Sequence, residues 1–175
     1  MKFKTINPAT EEVIAEHDIM PKEKALNIAK DSKNAFQEWK QFDISERAGY
    51  FRKLAKVLRD NKEKYSELMA LEMGKPIKQA LAEVEKCAWT AEFYADNAEK
   101  WLEEEQVIAD GKKHFVAFEP LGTILSIMPW NFPFWQAFRF GIPTLIAGNT
   151  SVLKHSNQVP QCALAIEESF KEAGF

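Results

Sequence analysis

The stretch "TILSIMPWNFPFWQAFRFGIPTLIAGNTSVLK", from Thr123 to Lys154, decides the fold of this chain. It begins and ends with short apolar runs, "TILSIM" and "TSVLK", which predict two strands. Between them, residues 134–147 are predicted to form a helix that ends at Gly148. A strand, a helix and a strand over this distance make a crossover long enough to join parallel neighbours. The stretch therefore predicts an α/β fold with a parallel sheet.

A stiff segment, "MPWNFPFW", follows the first of these strands. It surrounds Asn131 with two tryptophans, two phenylalanines and two prolines. A carboxamide held rigidly at the end of a strand could stabilise a negative charge that develops only during a reaction. The alternative is that the aromatic side chains act only as a plug that fills the core, with the asparagine forming a turn. We favour that alternative less, because a plug does not need a polar amide enclosed by bulky residues.

A second polar segment, "KHSN", follows the other strand. Ligands of open α/β sheets bind at the carboxyl ends of strands. If the two strands are neighbours, Asn131 and Lys154 lie at one edge, where a lysine can contact a ribose or a phosphate. Taken alone, Lys154 is better explained as a solvated lysine at a strand end. The usual dinucleotide fingerprint is missing, since the seven glycines never form G-x-G.

Composition argues against several classes of protein. The net charge of -3 leaves no basic footprint for nucleic acid. No segment approaches the ~18 apolar residues of a membrane span, and "MKFKTINPATEE" lacks an apolar signal core, which favours a cytoplasmic location. Two cysteines and three histidines show no zinc-ligand spacing. We therefore expect no nucleic acid, membrane or metal partner.

Upstream of Thr123, the sequence predicts a hairpin, a layer of helices and two more strands. The predicted units are residues 1–20, an N-terminal β-hairpin; residues 21–103, a helical layer; residues 104–120, the strands "QVIA" and "KHFVAFEP"; and residues 121–175, the first part of a Rossmann-like unit. The fold class is thus α/β, with a partial Rossmann-like parallel sheet preceded by helices and short strands.

The helical layer carries its own start and stop signals. Asp43 and Glu46 predict a capping box, and Gly74 predicts a helix end. The residues that share one face of the first helix at helical spacing are Ala25, Ile28, Ala29, Ser32, Phe36 and Trp39. The fourth helix has a heptad seam, mostly of alanine, at Ile77, Leu81, Val84, Ala88, Ala91, Ala95, Ala98 and Leu102. The seam fits a coiled-coil dimer or a core helix, and we prefer the core helix because alanine buries little area.

Four motifs carry a resemblance to a known family. "NPATEEVIAE", "EMGKP", "EPLGTILSIMPWNFPFW" and "AGNTSVLKHSNQVP" are similar, in order and spacing, to the N-terminal part of the aldehyde dehydrogenase superfamily. The similarity spans essentially the whole chain, and "PWNFP" followed by "AGN" and "LK" is highly specific. "MPWNFPFWQ" and "LKH" replace the commoner "IPWNFP" and "LKP", so the chain looks most like the succinate-semialdehyde dehydrogenases.

The resemblance implies a reaction. In this family a cysteine thiolate attacks an aldehyde, and an asparagine carboxamide and a backbone N–H stabilise the oxyanion of the resulting thiohemiacetal. Hydride then passes to NAD or NADP, and water releases the carboxylic acid. Asn131 matches the catalytic oxyanion donor. The residues that match cofactor-binding positions are Ile127, Met128, Pro129, Trp130, Asn131, Lys154, His155, Ser156 and Asn157. Those that match the aldehyde tunnel are Phe132, Gln136 and Phe138, and Arg139 matches a basic position near the active site.

Two residues depart from the family pattern in a way that bears on the cofactor. His155 stands where proline is usual, and Asn157 stands where NAD-preferring members often have glutamate. A carboxylate there would bind the ribose hydroxyls and repel a 2′-phosphate. Neutral Asn157 would not, so the resemblance implies that NADP is tolerated beside NAD.

The nucleophile, the general base and the glycine helix of the family have no counterpart in these 175 residues. Cys87 and Cys162 lie on predicted helices outside the nucleophile context, so neither is assigned that role. We therefore expect the N-terminal part of an enzyme that is homo-oligomeric when complete, with 104–120 belonging to its oligomerisation arm, and no aldehyde oxidation by these residues alone. A non-catalytic binding or assembly module derived from the same fold is the alternative.

Overall fold

The computed structural model describes residues 2–175, which form six helices and six strands. In chain order they are β1 (Lys2–Ile6), β2 (Val13–Asp18), α1 (Lys22–Trp39), α2 (Ile44–Asp60), α3 (Lys62–Met73), α4 (Ile77–Trp101), β3 (Glu105–Gln106), β4 (Phe115–Val116), β5 (Thr123–Met128), α5 (Pro133–Ile146), β6 (Thr150–His155) and α6 (Pro160–Glu172). Strands β5 and β6 pair in parallel with α5 as the crossover. The predicted α/β class and its strand–helix–strand unit are therefore confirmed.

Helix α4 forms the centre of the core. The alanine seam is buried from Val84 to Ala98, and α4 packs against α2, α3 and α5 of the same chain. A seam covered by neighbouring helices is not free to pair with a second chain. The core-helix interpretation is thus correct, and the coiled-coil alternative is not.

The hairpin, the capping box and the helix end predicted before α4 are all present in the structure. Strands β1 and β2 form an antiparallel hairpin. The Glu46 carboxylate accepts a hydrogen bond from the Asp43 backbone N–H at 2.8 Å, as a capping box requires. Gly74 ends α3 with a φ of 70°, a left-handed conformation that glycine adopts without steric cost.

Two predicted features differ from the structure. The strands predicted in "QVIA" and "KHFVAFEP" contain only two residues each, because the apolar side chains around them, Ile108 above all, are exposed. A two-stranded ribbon with few contacts to other elements is marginal in water. Helix α1 has no buried residue: its inner face packs against β5 and β6, for example where the Ser32 hydroxyl bonds to that of Thr150 at 3.1 Å, and Trp39 at its end packs against Tyr50 and Phe175.

The ends of α5 are held by residues from other helices. The helix has no acidic residue in its first turn and no basic residue in its last turn. At its carboxyl end the Arg47 guanidinium donates to the carbonyl of Ile146 at 2.8 Å, and the Trp39 indole donates to that of Leu145 at 2.8 Å. These donors satisfy carbonyls that a helix end leaves unpaired. The helix that follows Asn131 is therefore fixed by tertiary contacts.

Candidate active site

The carboxyl ends of β5 and β6 bring the two predicted binding segments together. In the parallel register Ile127 pairs with Lys154, and Met128 pairs with His155. Residues 129–132 continue from β5 into α5, and residues 156–159 continue from β6 into α6. The two segments therefore lie side by side at one edge of the sheet.

Most of the predicted cofactor-binding residues are accessible at this edge. Ile127 is 69% exposed and Trp130 is 46% exposed. Also exposed are Pro129, Asn131, Lys154 and Asn157, whereas Met128 and Ser156 are half-buried. Apolar and aromatic surface beside a lysine amine suits a nucleotide, which presents both flat rings and a polar sugar-phosphate. The residues present thus fit a dinucleotide, although their roles stay predictions.

Asn131 is held by its backbone and leaves its side chain accessible. Its carbonyl oxygen accepts a hydrogen bond from Lys75 Nζ at 3.2 Å. Within residues 2–175 its exposed carboxamide makes no hydrogen bond, so the amide N–H groups are available to a ligand. A fixed backbone with a free amide is the arrangement that an oxyanion donor needs.

A buried ion pair lies beneath the Asn131 segment. The side chains of Lys75 and Glu83 are 4% and 2% exposed and bond to each other. Glu83 Oε1 also accepts the backbone N–H groups of Phe134 at 3.0 Å and Trp135 at 2.9 Å. The Lys75 amine lies 3.7 Å from the centre of the Phe132 ring, a cation–π distance. Glu83 therefore caps α5, and Lys75 links that cap to the residues just before the helix.

Sequence reasoning missed this pair, although a signal was present. Lys75 lies in "EMGKP", which predicts a helix stop and carries part of the family resemblance, but the lysine itself was given no role. Glu83 falls between Ala80 and Cys87 at spacings of three and four, on the face that α4 buries. A charged residue at a buried helical position requires a partner, because an unpaired buried charge is costly.

His155 connects the two binding segments. Its side chain is buried, and its Nε2 lies 2.8 Å from the carbonyl oxygen of Pro133. Its Nδ1 accepts the Ser156 backbone N–H at 2.8 Å, so the proton of the neutral ring is on Nε2, which donates to Pro133. Burial lowers the pKa of His155, with a smaller contribution from the charge of Lys154. The ring of His155 is therefore committed to the protein, and contact of this residue with the cofactor stays a prediction.

We expect His155 to make the chain less stable in mild acid. Its pKa is lower when folded than when unfolded, so below about pH 6.5 the unfolded chain takes up a proton that the folded chain resists. Stability present above that pH is therefore lost as pH falls. The drop in urea midpoint between pH 7.5 and pH 5.5 should be smaller in His155→Gln, which keeps a donor, than in the wild type. His114→Gln, in the exposed β3–β4 turn, is the control, and equal drops in all three proteins would contradict the expectation.

The predicted tunnel residues separate into two groups. Phe132, next to Asn131 along the chain, is exposed, and Gln136 on α5 is half-buried. Phe138 is fully buried, and its ring stacks against Phe134 and Phe170 at centroid distances of 6.1 and 5.4 Å. It has no exposed surface with which to line a tunnel, so we assign Phe138 to the core. Arg139 is exposed on α5.

The two cysteines are unsuited to nucleophilic attack. Both are buried free thiols. Burial raises the pKa of Cys162, as does nearby Glu72, and burial raises the pKa of Cys87, with Glu83 adding to the effect. Since the thiolate is the nucleophile, both residues are inert structural thiols. This agrees with assigning neither of them the catalytic role.

Two other features are absent from residues 2–175. No helix in this range is long and apolar enough to cross a bilayer. Over the same residues, no group of three or more His, Cys, Asp or Glu side chains is placed to hold a metal ion.

Comparison with known proteins identifies the family. The aldehyde dehydrogenase family model matches residues 1–175. A probable succinate-semialdehyde dehydrogenase (NADP(+)) of Synechocystis sp. is 47% identical over 100% of this chain and 38% of its own length. Succinate semialdehyde dehydrogenase (NAD(P)+) Sad of Escherichia coli is 38% identical over 97% of this chain and 37% of its own length.

Solved structures agree with the sequence relatives. Succinic semialdehyde dehydrogenase from Streptococcus pyogenes, in complex with NADP+, superposes with a TM-score of 0.94 at 34% identity. The match covers 99% of this chain and 38% of that one, so the chain spans about two fifths of the length of the relatives it matches. The chain therefore belongs to the aldehyde dehydrogenase family and corresponds to the N-terminal part of its members.

Proposed function

We propose that this chain supplies the N-terminal part of an NAD(P)-dependent aldehyde dehydrogenase, here called the full-length enzyme, which oxidises succinate semialdehyde to its carboxylic acid. The observation that carries the proposal is the register of β5 and β6. It places Asn131 and Lys154 at one sheet edge, in a chain whose similar proteins include succinate-semialdehyde dehydrogenases. The proposed units are the N-terminal hairpin, the helical layer, the strands of an oligomerisation arm and the first part of the cofactor-binding unit.

Residues at the sheet edge would hold the cofactor. The bound NAD or NADP supplies the hydride acceptor. Lys154 would donate hydrogen bonds to the adenosine ribose, while Ile127 through Trp130 would form the wall beside the dinucleotide. Support comes from the exposure of Lys154 and Trp130 at adjoining strand ends and from the NADP+ complex of the Streptococcus pyogenes relative.

Asn131 would stabilise the charge that appears when the aldehyde carbonyl is attacked. Within residues 2–175 its carboxamide N–H has no hydrogen-bond partner, and its backbone is anchored to Lys75 at 3.2 Å, which limits the backbone movement that the donor needs during the reaction. Phe132 and Gln136 would line the approach of the aldehyde. The nucleophile would come from outside these residues, because Cys87 and Cys162 are buried.

The test is aldehyde-dependent formation of NADH or NADPH by the full-length enzyme. Succinate semialdehyde should give a higher kcat/KM than butanal, which has the same carbon chain without the carboxylate. Butanal oxidised as well as succinate semialdehyde would contradict the substrate assignment. No turnover with any aldehyde would contradict the whole proposal and favour the non-catalytic module.

The choice between NAD and NADP should depend on Asn157. This residue is exposed three positions after Lys154. A glutamate there would bind the ribose hydroxyls of NAD and repel the 2′-phosphate of NADP. We expect Asn157→Glu to raise the ratio of kcat/KM for NAD over NADP by about tenfold, which is about 1.4 kcal/mol. Gln158→Glu adds the same charge one residue later as the control. An unchanged ratio in Asn157→Glu would show that position 157 does not face the ribose.

We also propose that the full-length enzyme is a homo-oligomer located in the cytoplasm. The β3–β4 ribbon exposes apolar side chains, among them Val107 and Ile108, and such a ribbon needs a partner to be stable. Two free cysteines suit a reducing compartment. Light scattering that showed a monomer at high concentration would contradict the assembly.

A further inference from the structure

The buried pair Lys75–Glu83 directs its contacts at the residues around Asn131. Besides bonding to Lys75, Glu83 bonds to the N–H groups of Phe134 and Trp135. Apart from its bond to Glu83, Lys75 contacts the Asn131 carbonyl and the Phe132 ring. All the donors and acceptors used outside the pair therefore belong to residues 131–135, on which the proposed chemistry depends.

Stability alone does not explain the pair. Desolvating two charges offsets much of their attraction, and replacing a buried ion pair by apolar residues of similar size is often neutral or stabilising. A buried pair of this kind is better suited to selecting one conformation of the residues it bonds.

Helix α6 provides an internal comparison. Its N-terminus is also capped by a buried glutamate from the helical layer, since Glu72 accepts the N–H groups of Gln161 at 2.9 Å and Cys162 at 2.8 Å, one on each carboxylate oxygen. Within residues 2–175, Glu72 has no ion-pair partner. A carboxylate alone is therefore enough to cap such a helix in this chain. Within residues 2–175 the additional lysine occurs at α5, where Asn131 precedes the helix, and not at α6.

We propose that Lys75, held by Glu83, is a positioning residue that fixes the backbone of Asn131 so that its carboxamide points at the reacting oxygen. This inference rests on the proposed oxidation of an aldehyde. Lys75 bonds to the carbonyl of Asn131 and covers the ring of Phe132, so it restrains the peptide plane that follows the asparagine Cα and the residue after it. Removing it would let the carboxamide move relative to substrate, while leaving the cofactor-binding lysine and the exposed sheet edge in place.

The test uses a variant that removes both charges and keeps the helix cap. Lys75→Met/Glu83→Gln leaves a glutamine oxygen to accept the two N–H groups of α5, and it leaves no unpaired charge in the core. In the full-length enzyme we expect kcat to fall by up to about 10²-fold, the loss that a small misplacement of a catalytic group can cause. KM for the cofactor and the thermal midpoint should change little. Glu72→Gln, which keeps one acceptor oxygen at the N-terminus of α6, is the matched control and should retain wild-type kcat.

A second readout does not depend on turnover. With 5-fluorotryptophan incorporated, the ¹⁹F resonance of Trp130, assigned with Trp130→Phe, reports on the residue next to Asn131. We expect it to shift or broaden in the double variant and to stay unchanged in Glu72→Gln. If the wild-type enzyme oxidises no aldehyde, the proposed function fails, yet a changed resonance still supports the restraint by Lys75.

Three results would overturn the proposal. The first, for an active wild-type enzyme, is an unchanged kcat in the double variant, whatever the resonance does. The second is an unchanged Trp130 resonance. The third is a fall in kcat that is fully explained by loss of folded protein, with the thermal midpoint and the number of titrated active sites falling to match. That result would give the ion pair a structural role alone.

Discussion

Replacing Asn131 by alanine is expected to lower kcat of the full-length enzyme by about 10²- to 10³-fold, the usual cost of losing one oxyanion donor. The carboxamide is exposed at the end of β5, and its backbone is anchored to Lys75. It can therefore contact a developing oxyanion without reorganising. Because this contact forms only in the transition state, KM should change far less than kcat.

The matched control is Asn34→Ala, the same substitution on the exposed surface of α1. It should leave both kcat and KM at wild-type values. Steady-state kinetics with succinate semialdehyde and NADP measure the effect. A near-normal kcat in Asn131→Ala would contradict the oxyanion role, and a large rise in the KM for cofactor with normal kcat would assign Asn131 to binding instead.

Phe138→Ala is expected to reduce the free energy of unfolding of the chain by about 3–5 kcal/mol, as is typical when a buried phenylalanine is truncated. The ring has no exposed surface and is stacked between Phe134 of its own helix and Phe170 of α6. Alanine would leave a cavity where α5 meets α6, and the stiff helices around it can collapse only in part.

Phe118→Ala is the control, because that ring is 47% exposed. It should cost less than about 1 kcal/mol, since surface substitutions usually have small effects. Urea unfolding followed by circular dichroism gives both values. A small loss of stability in Phe138→Ala, together with altered specificity for aldehydes in the full-length enzyme, would contradict the core assignment and indicate that Phe138 lines the aldehyde tunnel.

The sequence was sufficient to predict the α/β unit because its signals are local. Two apolar runs and a helix-length segment between them require a parallel crossover, and Gly148 and Gly74 mark helix ends by their own conformational freedom. Once β5 and β6 are parallel neighbours, the positions of Asn131 and Lys154 at one edge follow from topology alone. The roles of these residues came from the family resemblance rather than from the pattern.

The features that escaped prediction depend on contacts between distant residues. Lys75 and Glu83 reach a segment that lies about fifty residues further along the chain. His155 bonds to a carbonyl 22 residues away, and its burial is not visible in "LKHSN". Phe138 and Phe132 have the same side chain, so the sequence does not show which ring is buried. Phe138 belongs to the core because α6 packs against it, whereas Phe132 is exposed. The strands β3 and β4 were overestimated because their apolar residues suggested burial that no neighbour in residues 2–175 provides.

The central claim is that the carboxyl edge of β5 and β6 binds the dinucleotide beside Asn131. A crystal structure of the full-length enzyme with NADP tests it most directly. We expect one ribose of the dinucleotide within hydrogen-bonding distance of Lys154 Nζ, the dinucleotide against the segment from Ile127 to Trp130, and the Asn131 carboxamide facing the space beside the nicotinamide. A dinucleotide bound elsewhere, or bound here with Asn131 facing away from the nicotinamide, would contradict the account.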